Sequence, residues 1–145
     1  MLKRLGRSAV VTGAAVGIGR GIALALARRG CALSLIDIDE ATLAATAAEI
    51  AALGVRVGKH RLDVSDRDAV AAFPHQIAAE HSGLDILVNN AGVALAGTFE
   101  EVSEADFEWL FSINFWGVVR MTRALLPLLH KSDDARIVNI SSCLD

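Results

Sequence analysis

Residues 8–30 read SAVVTGAAVGIGRGIALALARRG, a run that contains a strand, a turn and a helix in that order. Ser8–Thr12 is short, apolar and rich in β-branched residues, the composition of a buried strand. Gly13, Gly17 and Gly19 punctuate the turn, and Ile18, Ile22 and Leu26 then recur at helical spacing from Gly17 to about Arg29. Gly30 stands where a left-handed residue commonly closes a helix. Glycines after a strand remove side chains where a backbone must approach an anionic group, and the first N–H groups of the following helix point at that anion. The plainer reading is a tight turn needing glycine for its geometry alone. The strand–turn–helix setting weighs against it.

Working outward, Ala32–Ile36 is a second strand, and Asp37 ends it eighteen positions after Gly19. A dinucleotide fingerprint has an acid about 20 residues on, where its carboxylate accepts hydrogen bonds from the adenosine ribose. That charge repels a 2′-phosphate, and no cation stands at Val16 or Ile38 to offset it, which favours NAD over NADP. Asp39 is better placed to cap the next helix, which should end before Gly54. Val55–Leu62 makes a weaker strand, broken by Gly58 and basic residues and so expected near an edge. Ser65 and Asp68 have capping-box spacing, opening a helix to about His81 that Pro74 should bend or shorten.

Leu84–Asn89 is a near-continuous apolar run, suited to a strand covered on both faces. Ser103 and Asp106 form a second capping-box pair before a helix predicted to reach about Leu126. Phe107, Trp109, Phe111, Phe115 and Trp116 give it more apolar surface than one stripe can bury, so it should be widely covered or meet a partner. Arg136–Ser141 is the fifth strand. Strands alternating with helices over short links predict an α/β fold, a Rossmann-type doubly wound parallel sheet of about five strands, in a single domain over residues 1–145.

Composition narrows the function classes. A chain 53% hydrophobic and 21% charged packs a core and is not disordered. A formal charge of −3 with scattered Lys and Arg argues against nucleic acid as a partner. Cys31 and Cys143 are too few for a disulfide framework or a zinc site. His60, His75, His81 and His130 lack ligand spacing and read as surface or helix-end residues, so no metal is expected. Lys3, Arg4 and Arg7 precede no long apolar segment, and Arg28, Arg29, Arg120 and Arg123 interrupt the apolar windows. No membrane association is expected, and a cytoplasmic location is the natural reading.

Taken together, Thr12-Gly13-x-x-x-Gly17-Ile18-Gly19, Asp63-Val64, Asn89-Asn90-Ala91-Gly92, Asn114 and Ile140-Ser141-Ser142 resemble, in order and spacing, the short-chain dehydrogenase/reductase family. The resemblance covers nearly the whole chain and implies an incomplete Rossmann-type sheet, about five of the family's seven strands, in an NAD(P)-dependent oxidoreductase passing a hydride between a nicotinamide cofactor and a small-molecule alcohol or carbonyl. It implies that Thr12, Gly13, Gly17, Ile18 and Gly19 cradle the cofactor, that Asp37 meets the ribose, and that Asp63 and Val64 meet the adenine. Asn90, Ala91 and Gly92 would floor the cofactor site, Asn114 would hold a water in a proton relay, and Ser142 would bond the substrate's reacting oxygen. Ser141 is expected to point the opposite way along the strand. In full-length relatives the helix after Ser103 builds a homo-oligomer interface.

The family's general acid/base is a tyrosine followed four residues later by a lysine, both beyond the serine, and this sequence contains no tyrosine. The expectation is therefore the cofactor-binding portion of a longer oxidoreductase, lacking its catalytic Tyr and Lys. The alternative is a non-catalytic dinucleotide-binding or interaction module.

Overall fold

The computed structural model describes residues 6–142; Lys3, Arg4 and Cys143 lie outside them. Five strands, β1 (Ser8–Thr12), β2 (Ala32–Asp37), β3 (Val57–Arg61), β4 (Ile86–Asn89) and β5 (Arg136–Asn139), form one all-parallel sheet in the order β3-β2-β1-β4-β5. Between them run α1 (Gly17–Arg28), α2 (Glu40–Ala51), α3 (Arg67–Glu80), α4 (Glu104–Asn114) and α5 (Trp116–Leu129).

Side chains alternate across a strand, so the sheet builds two cores. Ala9, Val11, Leu33 and Leu35 face α1 and α2, where they bury Ala23, Leu24, Leu43 and Ile50. Val10, Ile36 and Leu87 face the other way, against Phe73 and Ile77 of α3 and Met121, Leu125 and Leu129 of α5. Helices thus cover both faces, as the apolar runs of β1 and β4 predict. The chain first builds outward from β1 to β3, then returns to lay β4 on the opposite side of β1. At such a reversal the loops leaving adjacent strands diverge and open a crevice beyond the strands' C-terminal ends.

Several boundaries follow the sequence closely. Gly30 takes φ +81° after α1, and the Asp39 carboxylate caps α2 through Thr42. Hydrogen bonds from the Thr42 hydroxyl and amide hold the Asp39 carboxyl below the usual carboxylate range. The β3 strand lies on an edge, as its composition predicts.

Others do not. Asp66, not Ser65, caps α3, accepting from the amides of Asp68 and Ala69 at 3.1 and 3.0 Å. Ser65 is engaged elsewhere, its amide and hydroxyl both donating to Asp63 Oδ1. Pro74 does not shorten α3, which continues to Glu80. The helix predicted from Ser103 to Leu126 is two helices, separated at Phe115 (φ −109°, ψ −63°), and the second runs past Pro127 to Leu129. The break lies between two close anchors: Asn114 is bonded to the Val93 backbone, and Gly117 packs on Val64, whose Cγ2 would lie 2.7 Å from a Cβ at that glycine.

The histidines are also less dispersed than their spacing suggests. His60 Nε2 meets Glu80 at 3.0 Å, Ser34 donates to Glu80 at 2.6 Å, and Ser34 contacts His81 Nε2 at 2.8 Å. This network ties β2 and β3 to the end of α3, and Gly58 leaves room for the Glu80 carboxylate against the sheet. His81 is a helix-end residue, the C-cap of α3, but it is buried there, and burial pushes its imidazole below the ordinary value. The Glu80 charge opposes that shift, while Arg56 and His60 reinforce it.

A His whose folded value is depressed stabilises the fold fully above its unfolded value, about 6.5, and loses that contribution as pH falls through the folded value. Urea unfolding from pH 7.5 downward should therefore show stability falling below about pH 6.5. His81→Gln should flatten that slope; an unchanged slope in the variant would assign the loss to other groups.

Candidate functional site

The crevice between β1 and β4 is closed at its base by a small set of hydrogen bonds. Thr12 is 1% exposed, and its Oγ1 accepts from the amides of Asn90 and Ala91, both at 2.9 Å. Asn90 returns the contact, its Nδ2 donating to the carbonyls of Thr12 and Gly13 at 3.1 Å each. The loop after β1 is thereby fastened to the loop after β4. A Cβ at Gly13 would lie 2.9 Å from Asn90 Nδ2 and from Ala91 Cα, and one at Gly19 would collide with the Gly13 carbonyl oxygen. Gly13 also takes φ +64°, a conformation that glycine alone adopts without strain. These two glycines serve close backbone packing, and Thr12 acts through the clasp, its hydroxyl already engaged.

Gly17 is different. It takes φ +57°, and a Cβ there would have nothing within 4 Å, so it borders open space at the start of α1. Asp39, Asp66 and Ser103 cap α2, α3 and α4 with side-chain oxygens, whereas Val16 gives α1 no side-chain cap and its first turn has no acidic residue. Free N–H groups at an uncapped, glycine-lined helix start suit a pyrophosphate. Asp37 stands beside this turn, with Oδ2 accepting from Ala15 N at 3.0 Å and Oδ1 from Asp39 N at 3.1 Å. Its carboxylate is therefore oriented while keeping lone pairs for further donors. The residues present fit a dinucleotide.

Two clefts flank this center. One, about 400 Å³, is lined by Asp37, Asp63, Val64, Trp109 and Ile113 among others. The second, about 840 Å³, is lined by Ile18, Phe107, Leu110, Phe111, Asn114 and Ser142 among others. Asn90, Ala91 and Gly92 border both and form their shared floor. Asp63, which borders the first cleft, spends Oδ1 on Ser65, and its Oδ2 has no protein partner among the described residues.

Asn114 faces the larger cleft but commits its side chain elsewhere: Oδ1 accepts from Val93 N and Nδ2 donates to Val93 O, both at 2.8 Å. It pins the loop after Gly92, while its Oδ1 keeps a second lone pair and its Nδ2 a second hydrogen. Ser141 and Ser142 both border the larger cleft. Regular pleating ends at Asn139, and strand alternation does not extend past that point. The structure also brings in Trp109, one of the aromatic residues expected to be widely covered or to meet a partner. Its position one turn before Ile113 was the available signal.

The sequence of residues 7–144 matches the family model described as short chain dehydrogenase. The chain is 47% identical over 133 residues to the probable oxidoreductase EphD of Mycobacterium tuberculosis, covering 91% of this chain but 22% of that protein. Among solved structures, a short chain dehydrogenase/reductase from Burkholderia phymatum in complex with NAD superposes with a TM-score of 0.89 at 37% identity, over 96% of this chain and 50% of that one. A metagenomic short-chain oxidoreductase in complex with NADP gives a TM-score of 0.89, also at 37% identity, over 96% of this chain and 63% of that one. The chain thus spans between about a fifth and two thirds of these proteins.

Two glycines separated by one residue should respond oppositely to alanine. Gly19→Ala should lower stability by roughly 1–3 kcal/mol through overpacking against Gly13 and Asn90. Gly21→Ala, with nothing within 4 Å of its Cβ, should raise it by about 0.5–1 kcal/mol through helix propensity. Denaturant midpoints of the two variants decide it; equal effects would contradict the packing described for Gly19.

Proposed function

The chain belongs to the short-chain dehydrogenase family, and from that premise we propose that it is the cofactor-binding side of an NAD-dependent oxidoreductase acting on an alcohol or carbonyl. The observation that carries this reading is the crevice itself. An uncapped helix start, an open glycine cradle and the oriented Asp37 carboxylate converge at the point where strand order reverses.

The α1 N-terminus and Gly17 would hold the pyrophosphate, Asp37 the adenosine ribose, and Asp63 with Val64 the adenine. Bound there, the dinucleotide supplies the hydride acceptor or donor. Asp37 favours NAD because its charge accepts ribose hydroxyls and repels a 2′-phosphate. Toward the larger cleft, the Ser142 hydroxyl donates to the substrate oxygen, a neutral donor placed where negative charge develops on carbonyl reduction. Asn114 fixes the Val93 backbone beside that site and would hold a water of the proton relay. Aromatic and aliphatic walls (Phe107, Leu110, Phe111, Ile140) suit a non-ionic substrate.

Proton transfer needs a group this sequence does not carry in the family's form, since tyrosine is absent. We assign it to a Tyr-x-x-x-Lys encoded downstream in the intact gene; loss of a general acid/base otherwise forfeits about 10²–10⁴-fold in rate. The same absence favours a second reading, a binding module without turnover. Saturable NAD binding with no NADH consumption on a carbonyl panel, in a gene without that motif, would select it.

The exposed Phe111 of α4, Phe115 at the break and Trp116 of α5 support self-association of the full-length protein through this helix pair. Light scattering of the isolated chain should show assemblies larger than a monomer; a clean monomer at micromolar concentration would count against it.

Calorimetry should find NAD bound at least about tenfold more tightly than NADP, with Asp37→Ala narrowing the gap. Tighter NADP binding by the native chain would overturn the cofactor preference, and binding of neither would overturn the oxidoreductase reading.

A further inference from the structure

Trp109 is a large aromatic residue that neither core uses. Its side chain is 47% exposed, yet it lines the smaller cleft together with Asp37, Asp63 and Val64. The reason lies in how α4 is set. Ser103 and Asp106 form a reciprocal capping box that fixes the helix start, and Asn114 fixes its end on Val93. Between these two points the helix rotation is determined. Residues one turn apart share a face, so Trp109 and Ile113 together face one cleft. Phe107, Leu110, Phe111 and Asn114 face the other. The helix is a partition, and Trp109 is its aromatic contribution to the Asp37 side.

The chemistry of that side is specific. Two carboxylates, Asp37 and Asp63, border a cavity whose remaining walls include Val64, Ile113 and the indole. A purine nucleoside matches this arrangement: hydroxyls and an exocyclic amino group supply donors for the acids, and a flat π face needs an apolar or aromatic surface. An indole left half in water by the protein alone gains buried area when such a ring covers it.

We propose that Trp109 is an affinity-determining wall of the adenine pocket, packing against the purine ring of the bound nucleotide. This rests on the dinucleotide reading above. It makes the tryptophan a reporter for the adenine half of the cofactor and not for the nicotinamide half.

The test uses the 145-residue chain with Trp116→Phe, which leaves Trp109 as the sole tryptophan. NAD and ADP-ribose should change Trp109 emission saturably, whereas nicotinamide mononucleotide should not. In calorimetry, Trp109→Ala should weaken ADP-ribose and NAD by about tenfold, with Trp109→Phe recovering most of the loss. If the alanine variant fails to fold, the phenylalanine variant and the emission of the native side chain still decide the matter. Unchanged NAD affinity in Trp109→Ala, with Trp109 emission unmoved by a ligand that calorimetry shows to bind, overturns the assignment and leaves the cofactor reading standing. An emission change with nicotinamide mononucleotide alone also overturns it. Absence of any NAD or ADP-ribose binding to the native chain overturns both.

Discussion

The rest of the structure depends on how closely two backbone loops approach where the sheet changes direction. Thr12 and Asn90 fasten those loops with four hydrogen bonds, and the glycines at 13 and 19 permit it because no Cβ would fit at either. Hydrogen bonds of this kind contribute only about 1 kcal/mol each net, yet removing one partner leaves a buried polar group unsatisfied at a cost of roughly 1–3 kcal/mol. The clasp is therefore a constraint more than a source of stability. It holds the start of α1 and the loop after β4 at a fixed separation, and the crevice is the space that separation leaves.

Two kinds of chemistry are sorted by that geometry. On one side acids are oriented by backbone amides: Ala15 and Asp39 hold Asp37, and Ser65 holds one oxygen of Asp63. On the other side the walls are aromatic and aliphatic, with Ser142 at the rim. The α4 helix stands between them, its start held by the Ser103–Asp106 box and its end by Asn114 on Val93. Asn114 also fixes the backbone of Val93, which borders both clefts. At the far side of the sheet, Ser34, His60, Glu80 and His81 join β2, β3 and α3 without any part in the crevice.

What was legible in the sequence follows a physical pattern. Elements governed by local geometry were readable: β1 to the residue, the left-handed Gly30, the Asp39 cap and the Ser103–Asp106 box. The misreadings arose where a competing partner decided the outcome. Ser65 has the right spacing to cap α3, but Asp63 takes its hydroxyl and Asp66 caps instead. The helix after Ser103 has continuous helical periodicity, but contacts from Val93 and Val64 on either side of Phe115 divide it. Histidines 21 positions apart join through Glu80 because β3 and the end of α3 lie side by side.

The sequence by itself determined the family and the parallel α/β sheet with its buried central strands. Strand periodicity, glycine placement and motif spacing are local properties, and they survive without knowledge of what packs where. Only the tertiary structure decided which polar groups are free and which are already engaged. It showed Thr12 and Asn114 bonded to backbone partners and Trp109 lining the Asp37 cleft. Those outcomes depend on helix rotation and on competition among donors and acceptors brought together from distant positions, and a side chain's hydrogen-bonding capacity is allotted only when its neighbours are in place.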